Sequence, residues 1–332
     1  MTHKSFLFRL LDIRLMLILS CLLFLSVNAV ARADANTDAA WSGDDTYWQG
    51  PIIDVHSQVE EKLALETIIP LLDRAGVAQT LLSSRFAQPT SDVLTLAAMH
   101  PSRIVPAAKT KTKAFMKGKK GLLEEFTAEL QQYDFRAMAE VIMWHAAKKK
   151  VGAGKATMQP DDPRLLPLMA AAREKGVPFI AHIEFADLGY AKSGYLEKFK
   201  SFLAANPDVS IGLIHMGQLN ATDAALLLPA HPNLFFITSH CNPVTARSSN
   251  LPWTMMFNGE QFTPEWQALL LAYPDRFVLA FDNVFSYHWD QLFLPQVSFW
   301  RRALKTLPDE VAHSLAHGNA EKLWQLSPAT LH

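Results

Sequence analysis

The chain has 332 residues, of which 49% are hydrophobic, and its 31 basic and 32 acidic residues give a formal net charge of −1 at pH 7. A chain so close to neutral carries no electrostatic footprint for nucleic acid, so we expect no nucleic-acid partner.

Residues 1–35 have the pattern of a secretory signal peptide. Basic residues precede the apolar run LMLILSCLLFLSV, and small residues follow it in AVARADA. The run is shorter than the ~20 residues that a transmembrane helix needs, so we expect no stable membrane anchor in the mature form. We expect cleavage after Ala31, Ala33 or Ala35 and a secreted or periplasmic mature chain over residues 36–332.

The mature chain keeps 27 basic and 30 acidic residues and one cysteine, Cys241. No intramolecular disulfide can therefore form, although the expected destination is oxidising. About 300 residues remain, which is large for one domain but usual for a (β/α)8 barrel.

Strand-like and helix-like segments alternate from Pro51 onward. Eight strand candidates begin near Ile52, Val77, Arg103, Arg136, Val177, Ser210, Asn233 and Arg276. Helical patterns such as EKLALETIIPLLDRAG and DDPRLLPLMAAAREKG fill the intervals. Because this alternation implies right-handed crossovers and a parallel sheet, eight repeats close most naturally into a barrel. The sequence therefore predicts the α/β class, as a single-domain (β/α)8 TIM barrel over residues 36–332 preceded by a signal peptide.

Polar side chains that can bind a metal stand at the ends of five of these strands. The first strand, PIIDVHSQ, is expected to carry Asp54, His56 and Gln58 on one face, because strand side chains alternate with period two. Later strands end in a carboxylate or an imidazole, at Glu140, His182, His215 and Asp282. Such a group needs a partner when it is buried, most simply a divalent cation where the strands converge.

These motifs resemble those of the amidohydrolase superfamily, particularly the amidohydrolase-related (amidohydrolase 2) type of metal-dependent hydrolase. DVHSQ is similar in part to the Asp-x-His-x-His motif of strand 1, and FIAHIE and GLIHMG are similar to the histidine motifs of strands 5 and 6. LAFDN resembles the strand 8 aspartate motif, and HGNAEKLWQL resembles the closing Gly-Asn-Ala helix. The resemblance covers nearly the whole mature chain and implies a metal-dependent barrel.

The resemblance also implies a role for each matching residue. It makes His56 a ligand of the more buried ion, and Asp282 a ligand of the same ion that also takes the proton of the attacking water. His182 and His215 become ligands of a second ion, or His215 acts as an acid or base if one ion binds. Glu140 takes the place of the carboxylated lysine that bridges two ions in many members.

Gln58 departs from the family pattern, which has a second histidine at this position. An amide oxygen is a poorer ligand than imidazole for zinc. Either the His56 site is weak or empty and one ion binds to Glu140, His182 and His215, or Gln58 binds through its oxygen and a harder cation is preferred. A third outcome is the loss of metal and of catalysis. The expected cofactor is a divalent metal, with zinc as first choice, as one or two ions.

Further polar residues near the strand ends are candidates for supporting roles. Glu184 shares the strand face of His182 and is expected to fix the tautomer of that imidazole. The expected substrate-binding residues follow strands 4, 7 and 8: His145, His240, Arg247 and His288. The long connection over residues 240–262 is expected to overhang the barrel mouth.

The sequence thus predicts an exported metal-dependent hydrolase that uses metal-activated water on a small carbonyl substrate such as a lactone, an ester or an amide. One alternative is a metal-dependent nonoxidative decarboxylase of an aromatic or unsaturated acid. The rim aromatics could hold an aromatic substrate under either scheme: Trp144, Trp253, Phe257 and Trp289. The other alternative is a non-catalytic exported binding protein on the barrel scaffold, favoured if Gln58 abolishes metal affinity. The expected partner is a small-molecule substrate, and the sequence predicts no oligomeric state.

Overall fold

The computed structural model describes residues 41–85, 87–110, 122–146, 156–249 and 251–331. The predicted signal peptide, residues 1–35, lies outside these ranges. Within them, the structure contains no helix with the length and hydropathy of a membrane span.

Eight strand positions form the parallel core of the structure, in the order in which the sequence predicts them. They are β1 (Ile52–Val59), β2 (Val77–Ser84), β3 (Ile104–Ala108), β4 (Ala137–Met138) with β5 (Val141–His145), β7 (Phe179–Ile183), β8 (Ile211–Ile214), β9 (Leu234–Ile237) and β12 (Phe277–Val278). The predicted fourth strand is divided at Ala139 and Glu140: β4 pairs with β3, whereas β5 pairs with β7. Three short strands, β6 (Ala156–Thr157), β10 (Phe257–Asn258) and β11 (Gln261–Phe262), form antiparallel pairings outside this order.

Hydrogen bonds join the last strand position to the first. β12 pairs with β9, and the chain that follows β12 bonds to β1. The N–H of Asp282 donates to the carbonyl of His56 (2.8 Å), and the N–H of Gln58 donates to the carbonyl of Asn283 (2.7 Å). These bonds place Asp282 beside the polar end of β1. The α/β class with parallel strands is therefore confirmed.

Eleven helices of the described residues lie between and after the strands. They are α1 (Ile68–Ala75), α2 (Thr90–Met99), α3 (Leu122–Gln132), α4 (Leu165–Lys175), α5 (Lys192–Ala205), α6 (Ala221–Ala230), α7 (Pro243–Ser248), α8 (Pro264–Ala272), α9 (Phe293–Lys305), α10 (Asp309–His313) and α11 (Asn319–Leu323). Gly76 and Gly176 follow α1 and α4 with φ of 65° and 63°, a left-handed conformation that glycine adopts without steric cost. These two glycines end their helices as the sequence predicts.

An apolar cluster lies at the end of the sheet opposite to the polar strand ends. It joins Ile53, Val55, Leu81, Val105, Ile180, Ile214, Ile237 and Val278 of the strands to Trp324 and Leu326 of the C-terminal segment. In each strand that carries a predicted metal-binding residue, the residue of the apolar cluster comes earlier in the chain than the metal-binding one. The strands are parallel, so their N-terminal ends lie on the same side. The apolar cluster therefore lies at the N-terminal side, where each fully buried Ile or Val contributes about 1.5–3 kcal/mol to folding. The polar residues are left together at the C-terminal ends.

The Gly-Asn-Ala segment fastens the C-terminal helices to the last strand. The side-chain amide of Asn319 donates to the carbonyls of Pro274 (2.7 Å) and Phe277 (2.8 Å). Asn319 is 2% exposed, so its amide is shielded from solvent. This residue fixes the start of β12, and through it the position of the strand end that carries Asp282.

Candidate metal-binding site

Five side chains from five strand ends meet in one buried cluster. His56, Glu140, His182, His215 and Asp282 are each at most 3% exposed. Their ligand atoms form overlapping groups of three in which all atoms lie within 4.8 Å of one another. The structure thus brings together residues that the sequence separates by long helical segments.

The first group, here called the His56 triad, consists of His56, Glu140 and Asp282. His56 Nε2 lies 3.6 Å from Glu140 Oε1 and 3.5 Å from Asp282 Oδ1. The ligand atoms of a single tetrahedral ion, each about 2.1 Å from it, lie about 3.4 Å apart. The His56 triad therefore has the dimensions of an ion site.

The second group, here called the His182 triad, consists of Glu140, His182 and His215. Glu140 Oε2 contacts His182 Nδ1 and lies 4.0 Å from His215 Nε2. Glu140 belongs to both triads and turns one oxygen toward each. A carboxylate with this arrangement can bridge two ions or serve one ion while the other oxygen accepts a hydrogen bond.

Asp282 also lies close to two imidazoles beyond the His56 triad. Its Oδ2 is 3.6 Å from His215 Nε2 and 3.6 Å from His240 Nε2. Although burial raises the pKa of this carboxyl, the imidazoles of His240, His56 and His215 outweigh burial and hold the pKa below its usual range. Asp282 is therefore ionised and can accept a proton or bind a cation.

The two histidines of the His182 triad have opposite pKa shifts. Burial, followed by the neighbouring imidazole of His240, lowers the pKa of His215 well below its usual value. Burial also disfavours the charged form of His182, but the carboxylate of Glu140 outweighs it and raises the pKa of His182. Both imidazoles would have to be neutral to hold a cation, because the neutral imidazole is the form that binds metals.

Each imidazole of the His182 triad has an oxygen near its second nitrogen. His182 Nε2 lies 3.4 Å from Glu184 Oε1, and the other oxygen of Glu184 accepts the N–H of Ala146 at 2.7 Å. His215 Nδ1 lies 2.9 Å from Ser239 Oγ. Such partners fix the tautomer and ring orientation of a metal ligand. Glu184 lies beside His182, where its predicted role of fixing the tautomer would place it. Ser239, which follows β9, lies in no sequence motif that marked its contact with His215.

Two residues of the cluster, and His240 beside it, adopt a left-handed backbone conformation after their strands. The φ angles are 56° at His215, 61° at His240 and 47° at Asp282. This conformation costs a residue other than glycine of the order of 1–3 kcal/mol, and it persists where the surrounding structure holds it in place. It turns the chain sharply at the residue whose side chain enters the cluster. Such strain is concentrated at functional sites in proteins.

Three of the four predicted substrate-binding residues border the cluster. The ring of His145 lies 5.3 Å from that of His182, and the ring of His240 stacks on His215 at 4.8 Å. The ring of His288 lies 5.9 Å from that of His240. Arg247 is exposed in the last turn of α7, and no contact found among the described residues joins it to the cluster.

One further side chain borders the cluster, and a second interacts electrostatically with its carboxylates. Trp253, from the long connection after β9, lies 4.9 Å from the ring of His215 and 4.7 Å from that of His240. Arg85 directly follows β2, and its guanidinium lies 4.9 Å from the ring centre of Phe285. Burial lowers the pKa of Arg85, while the carboxylates of Asp282 and Glu140 act in the opposite direction. Arg85 lies in no sequence motif, because its place in the structure depends on which strands become neighbours in the sheet.

The other three rim aromatics serve packing or hydrogen bonding. Trp289 is 1% exposed and donates its indole N–H to the carbonyl of Gln58 at 3.0 Å. Phe257 packs against Phe262 with ring centres 4.5 Å apart, and the indole N–H of Trp144 donates to Asp187 Oδ2 at 3.0 Å.

Comparison with known proteins gives one family and several related folds. A family model described as amidohydrolase matches residues 120–326. An uncharacterized TIM-barrel protein from Bordetella bronchiseptica has a TM-score of 0.54 at 17% identity, covering 83% of this chain and 99% of that chain. A 4-oxalomesaconate hydratase from Rhodopseudomonas palustris has a TM-score of 0.53 at 13% identity, with 82% and 95% covered. An amidohydrolase from Burkholderia multivorans with bound zinc has a TM-score of 0.51 at 13% identity, with 83% and 99% covered.

At these identities the solved structures show a shared TIM-barrel fold. A search of curated protein sequences gave no match.

Proposed function

Since the chain belongs to the amidohydrolase family and is an enzyme of that superfamily, we propose that it is a metal-dependent hydrolase of a small carbonyl substrate such as a lactone, an ester or an amide. The observation that carries this proposal is the convergence of Glu140, His182, His215 and Asp282 on one buried point. Catalysis is favoured over the non-catalytic alternative by the family.

The residues present fit a divalent cation. Two imidazole nitrogens and a carboxylate oxygen of the His182 triad lie within 4.8 Å of one another. This donor set suits zinc, and three protein ligands with an open position are typical of catalytic zinc sites. When bound, a divalent cation lowers the pKa of water and polarises a carbonyl oxygen. Glu140, His182 and His215 would hold the cation.

Asp282 is proposed as the group that moves the proton. Its carboxylate is ionised, it is held by the backbone bond from Asp282 N–H to His56, and its Oδ2 faces His215 and His240. A positioned carboxylate can take a proton from the attacking water and pass it to the leaving group. His215 is the second candidate for this role if it is not needed as a ligand.

The substrate is proposed to lie between the cluster and the rim. His145, His240 and His288 provide imidazoles around it, and Trp253 provides an apolar wall. These groups favour a small substrate with a planar or polar head. The pattern of residues 1–35 supports export of a mature barrel, residues 36–332, to a secreted or periplasmic location.

A nonoxidative decarboxylase is the second candidate function, and Trp253 together with Arg85 favours it. The indole lies against the imidazoles of His215 and His240, where an aromatic ring could stack. Arg85 follows the neighbouring strand end, and a guanidinium is suited to bind a carboxylate. Hydrolysis remains the first proposal, because it needs an activated water and a group that takes its proton. The proposed ion site would supply the first and Asp282 the second.

The test separates these reactions in one set of assays. The purified protein is stripped with a chelator, reloaded with zinc or manganese, and given lactones, esters, amides and aromatic acids. We expect hydrolysis that requires added metal and is absent from the stripped protein. Carbon dioxide release without hydrolysis would transfer the assignment to the decarboxylase. Failure to bind any metal would refute both reactions.

A further inference from the structure

The side chain of Gln58 stands among the three ligand atoms of the His56 triad. Its Nε2 lies 3.2 Å from His56 Nε2, 3.5 Å from Glu140 Oε1 and 3.3 Å from Asp282 Oδ1. These separations are close to those among the triad atoms themselves. The amide nitrogen therefore takes the fourth corner of the same small tetrahedron.

The backbone of Gln58 is fixed on both sides. Its N–H donates to the carbonyl of Asn283 at 2.7 Å, and its carbonyl accepts the indole N–H of Trp289 at 3.0 Å. The residue is 2% exposed. The side chain thus starts from a fixed point and has little room to leave the triad.

The amide nitrogen, and not the amide oxygen, suits the atoms around it. The side-chain NH₂ group has two hydrogens to donate, and the carboxylates of Glu140 and Asp282 only accept. An amide oxygen turned toward these carboxylates would face two negative charges. An amide nitrogen carries no lone pair for a metal, so Gln58 in this orientation is a donor to the triad and no ligand.

The His182 triad is untouched by this arrangement. The hydrogen bonds of Gln58 go to Glu140 Oε1, whereas Glu140 Oε2 faces His182 and His215. One oxygen of the carboxylate can therefore accept from the amide while the other serves as a ligand. Nothing in these contacts weakens the donor set of the His182 triad.

We infer that the Gln58 amide fills the fourth ligand corner of the His56 triad with a hydrogen-bond donor and so keeps an ion out of that triad, and that the chain holds a single divalent ion on Glu140, His182 and His215. The inference rests on the proposed function and decides among the three outcomes that the sequence leaves open for Gln58. The two amide hydrogens point to the carboxylates of Glu140 and Asp282, and the His56 ring lies beside the amide, with its Nε2 3.2 Å from Gln58 Nε2. Asp282 keeps one oxygen on this amide and the other near His215 and His240.

The experiment counts metal ions per chain. Full-length protein is stripped with a chelator, equilibrated with excess zinc, separated from free metal by gel filtration and analysed by inductively coupled plasma mass spectrometry. We expect one zinc ion per chain in the wild type and two in Gln58→His, in which an imidazole nitrogen replaces the amide. Gln131→His is the matched control, since Gln131 is exposed on α3, and it should keep one ion.

A second variant keeps the inference open to refutation if Gln58→His does not fold. Gln58→Leu removes the donor and adds no ligand, so it should also hold one ion, and circular dichroism reports whether either variant is folded. Two ions in the wild type would overturn the inference and leave the proposed function standing. One ion that is lost in His56→Ala but kept in His182→Ala would overturn it as well. No ion in the wild type would overturn both the inference and the proposed function.

Discussion

Asp282 is held in the site by both its carboxylate and its backbone. One oxygen of its carboxylate lies near His56, and the other lies near His215 and His240. Its backbone N–H bonds to His56, and its φ of 47° turns the chain at that point. The residue is therefore positioned from three directions before any substrate arrives.

Asp282→Asn should keep much of the bound metal and lose turnover. The amide is close in size to the carboxylate but cannot take a proton, and general acid or base groups contribute about 10²- to 10⁴-fold to a rate. We expect kcat to fall by that range, measured together with metal content. Asp290→Asn is the control, because Asp290 is exposed in the helical segment His288–Leu292 that follows. Unchanged kcat in Asp282→Asn would refute the proton-transfer role.

Ser239→Ala tests the contact that orients His215. The hydroxyl lies 2.9 Å from His215 Nδ1, and loss of such a partner weakens metal affinity or activity about 10- to 100-fold. We expect this loss in zinc titrations. Ser201→Ala removes an exposed hydroxyl that donates within α5 and should leave the affinity as it is. Equal affinities for the two variants would contradict the orienting role of Ser239.

Arg85 and Arg247 compete for the role of binding an anionic group of the substrate. Arg85 directly follows β2, and its pKa, which burial lowers, is raised in part by the carboxylates of Asp282 and Glu140, whereas Arg247 is exposed on α7. A hydrogen bond to a charged group contributes about 1.5–3 kcal/mol, equivalent to about 10- to 100-fold in affinity. For a substrate with a carboxylate, Arg85→Met should raise KM by that factor, and a neutral analogue should be little affected. A larger effect from Arg247→Met would favour the arginine that the sequence suggested.

The sequence was informative about residues whose role follows from their position on a strand. His56, Glu140, His182, His215 and Asp282 each end a strand-like run, and parallel strands end at the same edge. Ser239 and Arg85 could not be found in this way. Their roles depend on side-chain contacts between strands that are distant in sequence, and neither lies in a distinctive pattern.

At the scale of elements, the starts of the strands were predictable and their irregularities were not. The fourth strand divides at Ala139 and Glu140, where the chain changes its hydrogen-bonding partner from β3 to β7. The pairing of β1 with β2 also shifts between Asp54 and Ser57. Such features arise from the closure of the sheet, because each strand must match two neighbours at once.

Asp54, which period-two alternation places on the strand face of His56 and Gln58, has its own hydrogen-bond partners. Its carboxylate accepts from Ser57 Oγ at 2.5 Å, Thr80 Oγ1 at 3.0 Å and the N–H of Phe281 at 2.9 Å. Burial, opposed by these bonds, raises its pKa to about 6. Asp54 therefore links three strands beneath the cluster and does not join the ligand atoms.

Asn319→Ala tests the element that fixes the last strand. The amide donates to the buried carbonyl of Phe277 and the part-buried carbonyl of Pro274, and each net hydrogen bond contributes about 0.5–1.5 kcal/mol, with a further penalty for a buried acceptor left unpaired. We expect the free energy of unfolding to fall by about 2–3 kcal/mol in urea denaturation at fixed metal concentration. Asn258→Ala, in the exposed position of β10, should change it little. Equal stabilities would show that α11 does not hold β12.

In the barrel, the residues that stabilise the fold and the residues of the proposed site lie at opposite ends of the strands. Apolar residues at the N-terminal side of the strands form a packed floor, and the polar groups gather at the opposite ends. The strain at His215, His240 and Asp282 lies at the polar side. The packed floor and the hydrogen bonds between the first and last strands stabilise the fold, and this stability offsets the cost of the strained backbone at these three residues.

One divalent cation is proposed to bind between Glu140, His182 and His215. Anomalous diffraction from crystals of the zinc-loaded protein locates such an ion without any assay of activity. We expect an anomalous peak in contact with the ligand atoms of these three residues, with Asp282 adjacent to it. An anomalous map with no peak at the strand ends, or with these side chains pointing away from the peak, would refute this site.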